Sequence, residues 1–383
     1  MTSILARLSP PVLQKLKTGT EWISLAACIQ RCQRSTDVSQ NGRREKTKLG
    51  VLGCGRIASL HVPNILSIPG LEISWILDNN VGQINTLKEN FYLEDVQSYG
   101  TSDLDSLLED NTLNGVVILS STTTHTDYTC RALKKGKAVF VEKPAGESVE
   151  DIELCYNTAQ QYNTPLLTGY NRRFDPTFSS LQKCFHAGDI GDPVFIKLTS
   201  RDCPRPSLDF LKNCDTTGCS ILSDMGIHDI DTLVWLTKAE QPESIFVATH
   251  AHDKVMNEMG VDDALMMMVK YKSGLLASID IARDSVYGYD IRVEVFGSGG
   301  MLSGDPQREV SLRTDQAGNC KTSSLLYSFN QRFHQAYRNE MEHFIRCIEG
   351  TEKPLITAQE SVLTAKIIEK GLESWRNKTV AYF

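Results

Sequence analysis

Lys48-Leu49-Gly50-Val51-Leu52-Gly53-Cys54-Gly55-Arg56-Ile57-Ala58 is the stretch on which the fold turns. Its first half is a short apolar run ending in glycine, the pattern of a strand buried in a parallel sheet. Its second half reads GxGxxA. Gly53 permits a tight turn, the missing side chain of Gly55 lets backbone amides approach a pyrophosphate, and Ala58 is small enough for the next helix to pack on the strand. The N-terminus of that helix adds partial positive charge, so Gly53, Gly55, Arg56 and Ile57 are candidate cofactor-binding residues. A glycine-rich turn alone is a weak signal; a strand before it and a helix after it strengthen it.

Further apolar runs follow at Ile73–Leu77, Gly115–Leu119 and Ala138–Val141, separated by helix-like stretches over Ile57–Ser67, Val81–Asn90 and Thr126–Lys135. Strand alternating with helix predicts an α/β fold with an N-terminal Rossmann domain over residues 47–168, a doubly wound parallel sheet. A helix over Asp151–Tyr162 and a strand at Pro165–Gly169 complete it. Asp78 ends the second strand, 20 residues after Ala58, where a carboxylate can accept both hydroxyls of an adenosine ribose. Asn79 and Asn80 come next, with no arginine or lysine to receive a 2′-phosphate, which favours NAD over NADP.

After Arg173 the pattern changes to strand-like segments at Val194–Arg201, Ser244–His250, Ala264–Tyr271, Leu275–Ala282 and Ile291–Phe296. They predict a C-terminal α+β domain over residues 169–383 with a large, mostly antiparallel open sheet for substrate binding and oligomerisation. Alternation such as Ile279-Asp280-Ile281 packs one face and leaves the other for solvent or a partner, so a homodimer or homotetramer is expected. Helices near Asn330–Ile348 and Thr357–Asn377 close the chain and are free to pack back on the Rossmann domain.

Bulk properties narrow the classes. A chain of 383 residues, 41% hydrophobic and 23% charged, has the length for two globular domains. Forty basic against 47 acidic residues give a net charge of −7, and short pairs such as Lys134-Lys135 do not make the basic stripe of a nucleic-acid binder. The strongest early apolar run, Trp22–Ile29, falls far short of the roughly 20 residues of a membrane span. A soluble, cytoplasmic protein is expected. Residues 1–46 read as an extension, either disordered or a transit peptide that would make the protein mitochondrial, because basic residues outnumber acidic ones and none of the latter precedes Glu21. Eleven cysteines without a CxxC pair fit a reducing compartment. Cys214 and Cys219 are near enough for a redox or metal site, but no cysteine–histidine cluster has zinc spacing and no metal is expected.

Two segments carry candidate chemistry. Glu142-Lys143-Pro144 follows the strand at Ala138–Val141, placing Lys143 at the edge where doubly wound sheets bind ligands. On Asp224-Met225-Gly226-Ile227-His228-Asp229-Ile230-Asp231, read as a helix, Asp224, His228 and Asp231 share one face. Two carboxylates flanking a histidine raise its pKa and orient it, which suits a proton acceptor near neutral pH. A surface helix with ordinary i, i+4 pairing is the plainer alternative for this segment.

These motifs, with Gly169-Tyr170-Asn171-Arg172-Arg173-Phe174-Asp175, occur in the order of the glucose-fructose oxidoreductase (Gfo/Idh/MocA) family. The last two resemble its inositol 2-dehydrogenase members, and the resemblance runs from about Lys48 to the C-terminus. It implies a catalytic set of Lys143, Asp224 and His228. It further implies substrate contacts from His228, Asp231 and Arg172 or Arg173, and a nicotinamide side lined by Ser121, Thr122, His125, Glu142 and Lys143. The activity implied is NAD-dependent oxidation of a secondary alcohol on a cyclic polyol. A dehydrogenase for another sugar or a dihydrodiol is the nearest alternative, and a non-catalytic dinucleotide-binding sensor is the rival from another class. Ser121 stands where the family commonly carries proline.

Overall fold

The computed structural model describes residues 46–211 and 221–383. The expectation for residues 1–45 and the Cys214–Cys219 pair therefore lie outside the described residues.

Six strands form the first sheet: β1 (Thr47–Leu52), β2 (Leu71–Leu77), β3 (Gln97–Tyr99), β4 (Gly115–Ile118), β5 (Ala138–Glu142) and β6 (Leu166–Gly169). Their order is β3-β2-β1-β4-β5-β6 and every pairing is parallel. The winding reverses between β1 and β4, which opens a crevice beyond their carboxyl ends. Helices α1 (Ala58–Ser67), α2 (Val81–Phe91), α3 (His125–Lys134) and α4 (Val149–Tyr162) connect the strands. Strands β4, β5 and β6 are buried along their whole length, which is why they are uninterrupted apolar runs. Gly50 is required by packing: a Cβ there would stand 2.2 Å from the ring of Trp75, its partner on β2. The sequence reading missed β3, three residues at the sheet edge with no apolar run of their own.

The second sheet is built from β7 (Pro193–Arg201), β8 (Pro242–His250), β9 (Ala264–Tyr271), β10 (Leu276–Ala282), β11 (Asp290–Gly297) and β12 (Gly300–Gly304). A hairpin of β13 (Arg313–Gln316) and β14 (Asn319–Thr322) stands apart, and the short β15 (Ala381–Tyr382) joins the sheet at its edge. The order β12-β11-β7-β10-β9-β8-β15 is mostly antiparallel. One pair departs from the expectation: β7 and β10 run parallel, Arg201 opposite Ala282. The cause is the long crossover after β7, which lets β8, β9 and β10 meander back to its flank.

Four longer helices complete this half, α5 (Pro176–Ala187), α6 (Ile227–Leu236), α7 (His334–Ile348) and α8 (Ala358–Asn377). Helix α7 packs on α1, with Arg338 donating to Ser67 at 3.2 Å, and Ile348 lies against Gly115 of β4. Helix α7 thus lies against α1 and the first sheet. Among the described residues no helix is long and apolar enough to cross a membrane.

Candidate active site

The glycine turn shapes the crevice. Gly53 has φ +98° and a Cβ there would lie 2.6 Å from the backbone of Leu119 and Ser120, so only glycine fits between β1 and β4. Nothing lies within 4 Å of where a Cβ of Gly55 would be, leaving an open cradle before the N-terminus of α1. Asp78 closes it on one side: Oδ2 accepts the Cys54 N–H at 2.7 Å and Oδ1 the Asn80 N–H at 2.8 Å. Each oxygen keeps a free lone pair for a hydroxyl donor. The cradle and the oriented carboxylate fit a dinucleotide, which the amides from Gly53 to Ile57 would hold by its pyrophosphate and Asp78 by its ribose.

On the other side, Ser121 has φ −68°, the value proline would impose, so the serine keeps the backbone path of the family's usual proline. Ser121 and Thr122 are exposed and half-buried respectively at the head of a one-turn helix over Thr122–Thr124. His125 does not face the crevice. It is buried, with Nδ1 2.7 Å from the Pro144 carbonyl and Nε2 3.1 Å from that of Ser120. Its place is that of a staple between the β4 loop and the Glu142-Lys143-Pro144 turn, with both ring nitrogens engaged by backbone.

A cleft opens from the crevice toward the second sheet. Arg56, Glu142 and Lys143 line it from the first sheet, and Arg172, Asp202, Asp224, His228 and Tyr289 from the other side. Asp224 lies in a one-turn π-helix, Leu222–Gly226, that leads into α6. The Lys143 ammonium donates to its backbone carbonyl at 3.2 Å, bringing lysine and helix together across the cleft. Its carboxylate accepts from Arg283 at 3.0 Å, not from His228. Among the described residues the His228 ring nitrogens have no hydrogen-bonding partner and the ring faces the cleft.

That geometry reverses one expectation. Flanking carboxylates were to raise the His228 pKa; instead burial, then the positive charges of Lys143 and Arg172, hold it well below 6.5. The two carboxylates are spoken for, Asp224 by Arg283 (3.0 Å) and Asp231 by Arg173 (2.7 Å), and the adjacent Asp229 is held by Arg172 (2.6 Å) and Ser200 (2.7 Å). The ring is therefore a neutral acceptor at physiological pH.

A second correction concerns Asp231 and Arg173, expected at the substrate. They face away from the cleft, in a buried ion pair whose shortest contact is 2.7 Å, with Glu360 of α8 a further 2.7 Å from the guanidinium. Asp231 lies three residues beyond His228, about 4.5 Å deeper along the helix, where the cleft wall has ended and Arg173 occupies the core. Arg172, one residue earlier, does line the cleft.

Sequence reasoning missed Asp202 and Arg283. They follow β7 and β10, and because those strands are parallel and in register, both emerge at one edge, the Asp202 N–H donating to Ala282 at 2.9 Å. Burial, then Asp224, raise the Asp202 carboxyl to about 7, against the opposing charges of Arg283, Arg172 and Arg56. Its signal was a carboxylate at a strand end, legible only once the pairing is known.

A nucleotide cradle at a Rossmann switch point, opening on a cleft with a lysine and a neutral histidine, defines a nicotinamide-dependent oxidoreductase. Residues 47–170 match the model of the oxidoreductase family with an NAD-binding Rossmann fold, and residues 178–303 match the GFO/IDH/MocA C-terminal domain. The chain belongs to the GFO/IDH/MocA oxidoreductase family. It is 32% identical to myo-inositol 2-dehydrogenase of Thermotoga maritima over 86% of this chain and 97% of that protein. It is 28% identical to scyllo-inositol 2-dehydrogenase (NAD(+)) of Bacillus subtilis, covering 87% and 95%. The crystal structure of a putative myo-inositol dehydrogenase from Sinorhizobium meliloti superposes with a TM-score of 0.79 at 28% identity, covering 88% and 99%.

Proposed function

We propose that this chain oxidises a secondary alcohol of a cyclic polyol, an inositol before other sugars or dihydrodiols, with NAD as hydride acceptor. The observation that carries the reading is that Lys143 and a neutral His228, whose ring nitrogens have no hydrogen-bonding partner among the described residues, line one cleft beside the dinucleotide cradle. The relatives' substrates support the ring polyol. When bound, NAD supplies the hydride chemistry.

This chain's own residues do the rest. His228 Nε2 or Nδ1 takes the hydroxyl proton, since burial keeps the ring uncharged and ready to accept. The Lys143 ammonium stabilises the developing alkoxide, its head held at the helix by the Asp224 carbonyl. Asp224 and Arg283 fix that helix turn, while Arg172 and Asp202 present a donor and an acceptor to the remaining ring hydroxyls.

The test is NADH formation by the purified protein with NAD or NADP and a panel of myo-inositol, scyllo-inositol, glucose and a dihydrodiol. Turnover of an inositol with NAD supports the reading. Dinucleotide binding without turnover of any alcohol would favour a sensor.

The outer face of the second sheet supports a second copy as partner. Leu276, Phe195, Phe296 and Met301 are cross-strand neighbours in one exposed row, and Phe246 pairs with Met268 beside Met266. A face this apolar is unusual on a monomer. Light scattering that finds a monomer at micromolar concentration would defeat this assignment.

A further inference from the structure

Behind Glu142 lies a set of ionisable groups that the reaction above does not use. His61 of α1 and Glu340 of α7 are both wholly buried. His61 Nε2 is 2.7 Å from Glu142 Oε1 and 4.0 Å from Glu340 Oε1. The second oxygen of Glu142 accepts the Lys143 N–H at 3.1 Å. Among the described residues neither oxygen of Glu340 has a hydrogen-bonding partner, nor does His61 Nδ1. Rings close the walls: Phe140 and Tyr337 stand 5.1 and 5.3 Å from the imidazole.

Two carboxylates facing one imidazole in an apolar box do not both stay ionised. Glu142 has the donors: His61, the Lys143 N–H and the nearby ammonium. Glu340 has none, and an ionised carboxylate with no donor takes up a proton rather than stay buried and charged. The groups facing this space are His61 from α1, Glu142 and Lys143 from the end of β5, and Tyr337 and Glu340 from α7. Burial, then the Glu142 charge, push Glu340 well above the usual carboxylate range. Burial works the same way on Glu142, but the His61 hydrogen bond, the His61 charge and Lys143 outweigh it and leave it below that range.

We propose that His61 is a positioning residue beside a neutral acid, Glu340: His61 donates to Glu142, and Glu142 clamps the turn that aims Lys143 at the reacting oxygen. Without His61, the Glu142 carboxylate is free to turn onto the Lys143 ammonium and quench the charge the alkoxide needs. The inference rests on the role given to Lys143 above. A divalent cation is the competing occupant, since the three candidate ligand atoms lie within 4.8 Å of one another. The 2.7 Å His61–Glu142 separation, however, is that of a hydrogen bond; two ligands on one ion stand about 3 Å or more apart.

The experiment compares the full-length protein with His61→Leu, His61→Gln and Glu340→Gln. Infrared difference spectra of wild type against Glu340→Gln at neutral pH should contain the carbonyl stretch of a protonated carboxylic acid; loss of carboxylate bands alone overturns the proposal. His61→Leu should lower kcat about ten-fold with the polyol KM within about two-fold, and His61→Gln, which keeps a donor, should recover most of it. An equal fall in both variants overturns it, as does one equivalent of divalent metal per chain by elemental analysis. If His61→Leu does not fold, the infrared band and His61→Gln still decide. If wild type oxidises no polyol, the reaction is wrong; the band and a slower amine-reagent labelling of Lys143 in His61→Leu then test the cluster alone, and an unchanged labelling rate overturns it.

Discussion

Two buried arginine–aspartate pairs stand side by side, and only one belongs to the cleft. Arg172 pairs with Asp229 at 2.6 Å and lines the cleft wall; Arg173 pairs with Asp231 at 2.7 Å and turns into the core against α8. Both come from the same one-turn helix, Asn171–Phe174, and meet the same helix α6. Charge in a motif does not mark a binding residue by itself. What separates the two is where they end: Arg173 spends all three guanidinium nitrogens on Asp231 and Glu360, whereas Arg172 gives Nη1 to Asp229 and Nη2 to Ser200 and lines the cleft.

The sharpest way to break the comparison is to remove a group from each side. His228→Ala should lower kcat/KM by about a thousand-fold, the middle of the range for loss of a proton acceptor, with the thermal midpoint little changed. Asp231→Ala should do the reverse. Leaving buried Arg173 with Glu360 as its remaining partner costs about 3 kcal/mol, seen as an earlier midpoint in guanidinium chloride, while the folded fraction keeps its rate. If Asp231→Ala instead raises the polyol KM at constant stability, Asp231 reaches substrate and the division between the two faces is false. Arg172→Lys is the milder probe. It keeps the charge but loses the fork, and should raise the polyol KM about ten-fold.

The division also explains what the residues disclosed before any coordinates. The first sheet was legible almost strand for strand, because buried parallel strands are uninterrupted apolar runs and Gly53 and Asp78 punctuate them at fixed distances. Spacing put Asp224 and His228 on one helix face, but only the family resemblance joined Lys143 to them as a set. The orientation of Asp231 was not, since the π-turn at Leu222–Gly226 and the deeper partner Arg173 come from tertiary packing. Nor was the place of Asp202 and Arg283, which depends on β7 pairing parallel with a strand about 80 residues later. The sign of the His228 shift failed for the same reason: neighbours in sequence were counted as neighbours in space, and Asp224 and Asp231 were already paired elsewhere.

Titration separates Asp202 from His228. Burial raises Asp202 to about 7, so it is ionised above that pH and neutral below it. Polyol KM should rise as pH falls through about 7, and Asp202→Asn should flatten that dependence. His228 lies well below 6.5, so kcat should hold through the same window. Stability carries the opposite sign from an ordinary salt-bridged carboxylate. A folded pKa raised from 3.8 means that wild type loses stability as pH rises through about 7, and Asp202→Asn should unfold at higher temperature than wild type above that pH, with the difference gone below pH 3.8. Equal thermal midpoints of the two proteins in alkaline buffer would place Asp202 in water rather than in the cleft wall.

The smallest effect extends the comparison from side chains to backbone. Ser121 holds φ −68° and ψ 147°, and its N–H makes no backbone hydrogen bond, so proline fits without strain or a lost donor. Ser121→Pro should therefore stabilise the protein by about 0.5 kcal/mol, by restricting the unfolded chain rather than by adding a contact. A lower thermal midpoint would mean that Ser120, which must stay extended before a proline, is helical in the working protein, and that the loop facing the cradle differs from the path described here.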